Sequence, residues 1–258
     1  MTDPSAVCRL LPFRIRDGAL NMAIDEALLL AASADGSPLT LRLYGWDRPT
    51  LSLGYFQRPP AESPGEMPIV RRLTGGGAIV HDAELTYSVV WRQPADGPGA
   101  GGIPKAVADS YTFLNRALIR MLRALGVAPE PPSGAGQRDA FLCFARRSPQ
   151  DVTAGGGKIV GSAQRRRDGA VLHHGSVLIG PSAVRGVPDL SVSDLLGRPV
   201  SPDEAADALI QACETDLGWI MAPGRLTIDE GHLAEGLRHH KYNHLAWGGR
   251  RRDRRAPT

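Results

Sequence analysis

The chain has 258 residues, 42% hydrophobic and 22% charged, with a formal net charge of +3. That length and composition suit a globular protein with one substantial core, and a charge this small does not by itself imply a nucleic-acid partner. Three scattered cysteines, Cys8, Cys143 and Cys213, form no CxxC pair, which argues against a disulfide framework or a structural zinc site.

The first residues carry Asp3 and no apolar stretch of signal-peptide type, and Cys8 lies in a segment without a motif. No apolar run approaches the length that spans a bilayer, so the expected compartment is the reducing cytoplasm, with no membrane partner. Leu20, Ile24, Leu28 and Ala31 recur at helical spacing behind Asp17, a capping residue type. Residues 39–44 and 50–55 read as strands with Arg48-Pro49 turning between them, and 69–72, 78–81 and 85–91 as three more. Val107, Tyr111, Leu114, Leu118, Met121 and Leu125 then mark a long amphipathic helix that Gly126 stops.

Further along, 158–165 and 170–179 read as a hairpin turned by Asp168-Gly169, and helices follow over 202–217 and 228–239. Strands and helices mix without regular alternation, which predicts an α+β fold with a mixed sheet flanked by helices. Three loops rich in Gly, Pro and Ser, at 59–68, 94–104 and 129–136, join elements of what reads as one sheet and so predict mobile loops around a site. The whole of 1–258 is read as a single domain with its core at about 18–220. The arginine-rich end, 250–258, is expected to be a solvated, disordered tail.

Two stretches carry chemistry. Arg71-Arg72 precede Leu73-Thr74 and three glycines, Gly75, Gly76 and Gly77, then Ala78, Ile79 and His81. Consecutive glycines let the backbone approach a ligand and present N–H groups, and arginines offer forked donors for phosphate or carboxylate. The same residues also suit a flexible loop with solvated arginines. In the second stretch Lys158 begins an apolar strand with Gly161, Ser162, Ala163 and Gln164, opposite His173-His174-Gly175-Ser176. The small residues leave room for an acyl chain beside the sheet, or simply pack tightly.

Together with the helix at 21–27, these stretches resemble the lipoate-protein ligase and octanoyltransferase family over about 18–179. The resemblance implies a biotin/lipoate ligase (class II synthetase-like) architecture with a tunnel for lipoate or octanoate. It implies that Lys158 contacts the acyl carbonyl. It places Arg72, Gly75, Gly76, Gly77, Ala78, Ile79, His81, Gly161, Ser162, Ala163, His174 and Gly175 at the ligand, and no metal-ligand set is evident.

Two reactions share that scaffold: an ATP-dependent ligase works through an acyl-adenylate with magnesium, and an octanoyltransferase works through a cysteine thioester without any cofactor. Cys143-Phe144, fifteen positions before Lys158, resembles the loop-cysteine octanoyltransferases, and a thiol beside an ammonium is the reactive kind. The stretch 81–88 resembles the same branch. Gly77 resembles the ligases instead, since loop-cysteine transferases carry arginine there, and 145–157 resembles neither. Cys213 is expected in the core. The expected reaction is octanoyl transfer from acyl carrier protein to the lysine of a lipoyl carrier domain, either glycine cleavage H protein or a dehydrogenase E2 subunit. The alternatives are the ligase and a non-catalytic relative that holds an acyl group or carrier. Arg146, Arg147 and 165–167 would supply a basic rim for acidic carriers.

Overall fold

The chain enters through a strand that its pattern conceals. β1 (Val7–Arg16) pairs in parallel with β2 (Thr40–Trp46), but its register shifts between Leu11 and Arg14, around Pro12. An irregularity of this kind breaks the period-2 alternation by which strands are recognised. The structure is a computed structural model describing residues 6–34, 37–60, 66–131, 140–146, 148–184, 190–244 and 247. The tail expected at 250–258, Arg147 and parts of the loops 59–68 and 129–136 lie outside those residues.

After β1, Asp17 accepts the N–H of Leu20 at 2.9 Å and starts α1 (Gly18–Ser33). β2, β3 (Thr50–Leu53), β4 (Ile69–Arg71), β5 (Ile79–His81) and β6 (Glu84–Arg92) follow, then α2 (Val107–Leu125), closed by Gly126 in the left-handed conformation. β7 (Val152–Ala154), β8 (Gly157–Arg167) and β9 (Ala170–Leu178) come next. The end of the chain holds α3 (Val192–Leu196), α4 (Pro202–Leu217), β10 (Ile220–Pro223) and α5 (Ile228–Leu237), which runs on into a turn at Arg238–Tyr242. Asp168 and Gly169 both have positive φ, the geometry of a tight hairpin turn between β8 and β9. Gly155 and Gly156 do the same between β7 and β8.

Among the described residues, seven strands form one mixed sheet in the order β10-β1-β2-β6-β9-β8-β7, flanked by helices as expected. The loops do not all serve one sheet: 59–68 joins β3 to β4 within a separate three-stranded sheet, β4-β3-β5, whereas 94–104 and 129–136 flank α2 on the way from β6 to β7 of the large sheet. Alternation decides what each face of the large sheet meets. Leu41 and Leu43 on β2, with Tyr87 and Val89 on β6, pack against Leu114 and Leu118 of α2 and Leu209 of α4. The opposite face meets α1, where Ile24 and Leu28 pack on Val90 and Leu172. Beyond that apolar patch the same face turns polar. Arg42, Thr86, Ser88, His174 and Ser176 are all buried there.

Candidate active site

The polar face, the glycine loop and β8 enclose a cavity. Eleven of the expected residues line it: Arg72, Gly75, Gly76, Ile79, His81, Cys143, Gly161, Ser162, Ala163, His174 and Gly175. Gly77, Ala78 and Lys158 stand behind the wall. Met22, Tyr44, Trp46, Ser52, Thr86 and Ser176 also line it and were missed. The signal that would have found some of them is polar or aromatic residues at every second position of β2 and β6, between positions filled by leucine and valine.

Cys143 opens a short 3-10 turn, Cys143–Ala145. Its N–H donates to the Ala78 carbonyl at 2.7 Å, and the Ala78 N–H donates to the Phe141 carbonyl at 2.8 Å. These bonds pin the cysteine turn to the glycine loop, and they explain Gly77. A Cβ there would stand 2.8 Å from the Cys143 nitrogen, 2.9 Å from its Cα and 2.9 Å from Arg146 Nε. An arginine at 77 would displace the turn, so in this chain glycine goes with the loop cysteine rather than against it.

Cys143 Sγ lies 3.6 Å from Lys158 Nζ. The same ammonium lies 2.8 Å from Asp151 Oδ1, and both partners are buried. Asp151 was missed because it falls in the unfamiliar 145–157 stretch, yet it is the single acidic residue there. Gly161 leaves room for the lysine stem, since a Cβ at that position would meet Lys158 Cε at 2.8 Å. Cys143 is half-exposed, whereas Cys8 and Cys213 are buried. Burial pushes the Cys8 thiol up to about 12 and Cys213 higher still.

The arginines of the glycine loop have other work than gripping a free anion. Arg72 donates to the carbonyls of Ser52 at 3.0 Å, Gly75 at 2.8 Å and Gly77 at 2.6 Å, so its fork shapes the loop from beneath. Burial lowers its pKa to about 10, against an opposing pull from Cys143. Arg71 donates to the carbonyls of Gly54, Gln57 and Trp247.

Two carboxylates organise the polar face. Asp25 of α1 accepts from Arg42 at 2.7 Å, Tyr44 at 2.9 Å, Ser88 at 3.0 Å and His174 Nδ1 at 3.0 Å. Burial alone would raise its pKa, but Arg42 and His174 outweigh it and hold the carboxyl below its usual range. His174 Nε2 accepts from Thr74 Oγ1 at 2.7 Å, so both of its nitrogens are committed. Glu84 Oε1 accepts from His81 Nδ1 at 2.5 Å, Thr86 at 2.6 Å and Ser176 at 2.7 Å. The His81 ring stacks on Trp46 at 3.8 Å between centroids.

A family profile described as "Lipoyl protein ligase A/B catalytic domain" matches residues 17–186. The octanoyltransferase LipM of Kyrpidia tusciae is 39% identical over 262 residues, covering 89% of this chain and 94% of that protein. Among solved structures, lipoate-protein ligase A bound with ATP superposes with a TM-score of 0.76 at 28% identity, covering 94% and 98% of the two chains. A bipartite lipoate protein ligase from Thermoplasma acidophilum, studied with its E2 lipoyl domain, gives 0.73 at 25% identity, covering 95% and 96%.

Proposed function

The chain belongs to the lipoyl protein ligase A/B family, and we propose that it acts there as an octanoyltransferase, passing an octanoyl group from acyl carrier protein to the lysine of a lipoyl carrier domain through Cys143. The observation that carries this reading is the 3.6 Å separation of Cys143 Sγ and Lys158 Nζ beside the cavity that Cys143 lines.

The Cys143 thiolate attacks the carrier's thioester carbonyl. A new C–S bond forms, the old one breaks, and the carrier sulfur leaves as a thiolate that takes its proton from solvent. Lys158, steadied by Asp151, keeps positive charge beside the sulfur in both directions of that exchange. One thioester replaces another at little cost, so no nucleotide or metal is consumed. Met22 and Ile79, with the small residues of β8, offer the acyl chain an apolar wall. Arg165, Arg166 and Arg167 at the end of β8 suit the acidic surface of a carrier. The relative from Kyrpidia tusciae supports the transferase branch, and the Thermoplasma ligase supports a lipoyl domain as acceptor. No helix among the described residues is long and apolar enough to cross a membrane, and unpaired thiols suit the cytoplasm.

The test mixes purified protein and a lipoyl domain with either octanoyl carrier protein, or octanoate, ATP and magnesium. The lipoyl domain gains an octanoyl mass in the first mixture. Modification in the second mixture alone would leave the ligase reading, and modification in neither would leave the non-catalytic one.

A further inference from the structure

Lys158 and Cys143 reach their 3.6 Å separation from unequal supports. Lys158 belongs to β8, which pairs with β9 from Val160 to Arg167, and Asp151 steadies its ammonium at 2.8 Å. Cys143 belongs to a 3-10 turn of three residues, whose own bond runs from the Arg146 N–H to the Cys143 carbonyl at 3.0 Å. Lys158 adds a long contact to that carbonyl, 3.4 Å. A turn this short does not hold its place by itself. The position of the sulfur depends on what ties the turn down.

The tie runs through Phe141. Its carbonyl accepts the Ala78 N–H at 2.8 Å, and the Ala78 carbonyl accepts the Cys143 N–H at 2.7 Å. The second lone pair of the Phe141 carbonyl accepts Gln57 Nε2 at 3.0 Å. Gln57 is half-buried and stands in the β3–β4 connection, outside both the glycine loop and the cysteine turn. Its Oε1 accepts the Gly54 N–H at 2.9 Å. This orientation of the amide sets a donor against a carbonyl and an acceptor against an N–H; turned over, both contacts would repel.

Gln57 works from a fixed base. Its N–H donates to the Gly54 carbonyl at 3.0 Å, and Arg71 donates to the Gly54 and Gln57 carbonyls at 2.9 Å and 2.7 Å. The Tyr55 N–H donates to the Thr74 carbonyl at 2.8 Å, which joins the same turn to the glycine loop. Gly54 lets the two backbones meet, since a Cβ there would stand 2.2 Å from the Gly76 carbonyl oxygen. The turn at 54–57 thus meets the glycine loop through its backbone and the cysteine segment through one side chain.

We infer that Gln57 is a positioning residue of the transfer: its side-chain amide fixes the Cys143 turn and so keeps the sulfur beside Lys158. The inference rests on the Cys143 thioester reading and deepens it. Gln57 bonds to neither Cys143 nor Lys158; it acts through Phe141 and Ala78. A site whose reacting groups come from separate loops needs such support to hold its geometry.

The experiment measures acylation by octanoyl carrier protein in wild type, Gln57→Met and Gln57→Glu, each alone and combined with Lys158→Ala. Gln57→Met keeps the length and loses both bonds. Gln57→Glu keeps the acceptor for Gly54, sets a carboxylate against the Phe141 carbonyl, and carries the comparison if Gln57→Met does not fold. One hydrogen bond changes the population of the docked turn about 3–10-fold. The kcat of acylation falls by that factor in Gln57→Met and by more in Gln57→Glu, while KM for the carrier and the melting temperature hold. Amide hydrogen exchange quickens at Cys143 and Ala78 but not along β6 and β9. In the Lys158→Ala background the Gln57 substitutions cost nothing further, because the pair they align is gone.

Wild-type acylation in both folded Gln57 variants would overturn the inference, as would a rise in KM with kcat unchanged. An undiminished loss in the Lys158→Ala background, or exchange that quickens throughout the sheet, would overturn it by marking Gln57 as support for the fold alone. Wild-type protein that forms no octanoyl adduct would overturn the thioester reading and this inference together, whereas the other outcomes leave that reading standing.

Discussion

Cys213 and Cys143 sit on opposite faces of the large sheet. Cys213, on α4, packs among Leu41, Leu118 and Leu209, and burial without a cation pushes its thiol far above the usual range. Cys143 lies on the polar face, half-exposed, with an ammonium 3.6 Å from its sulfur and a cavity in front of it. The residue type is the same, and the difference lies in what alternation places around it. Leucine and valine face α2 and α4, whereas arginine, threonine, serine and histidine face α1 and the glycine loop. A thiol becomes a nucleophile only in the second setting.

The sharpest break in that comparison is Cys143→Ser. A serine hydroxyl lacks the acidity of the thiol, so octanoyl transfer in a carrier-dependent assay should be abolished while the melting temperature holds. Lys158→Ala comes next: transfer should fall about 10²–10⁴-fold, the usual worth of one positioned catalytic group. Asp151→Asn is expected to cost less in rate and more in stability. It leaves a buried ammonium without its charge partner, a loss of about 3–5 kcal/mol that denaturant unfolding would register. The smallest effect on transfer belongs to Cys213→Ser. Activity should survive, with stability reduced by about 1–3 kcal/mol for a hydroxyl placed in an apolar core. Substantial loss of transfer in a folded Cys213→Ser protein would blur the contrast between the two faces.

Much of this was legible in the residues. Asp17 and Gly126 mark the ends of two helices because caps are local chemistry, and Asp168-Gly169 marks its hairpin for the same reason. The glycine loop and β8 were found because glycine runs and small residues in an apolar strand are rare. β1 and β10 at the far end of the sheet were not found, since one is irregular around Pro12 and the other has only four residues. In the site, the sequence pointed to Cys143 and Lys158 but missed Asp151, whose importance comes from a fold that brings it 2.8 Å from Lys158. The structural work of the loop arginines was hidden for a related reason. An arginine in a glycine loop looks like a ligand grip until the carbonyls around it are known, and here Arg72 meets those of Ser52, Gly75 and Gly77. Gly77 pointed to the wrong branch until the cysteine turn was seen to fill the space beside it.

The central claim, that Cys143 carries the acyl group, is tested most directly by intact-mass measurement after incubation with octanoyl carrier protein and no acceptor. One octanoyl adduct should appear, peptide mapping should place it on Cys143, and neutral hydroxylamine should remove it as it does a thioester. An adduct on Cys8 or Cys213, or full carrier-dependent transfer by Cys143→Ser with no adduct at any cysteine, would contradict the account.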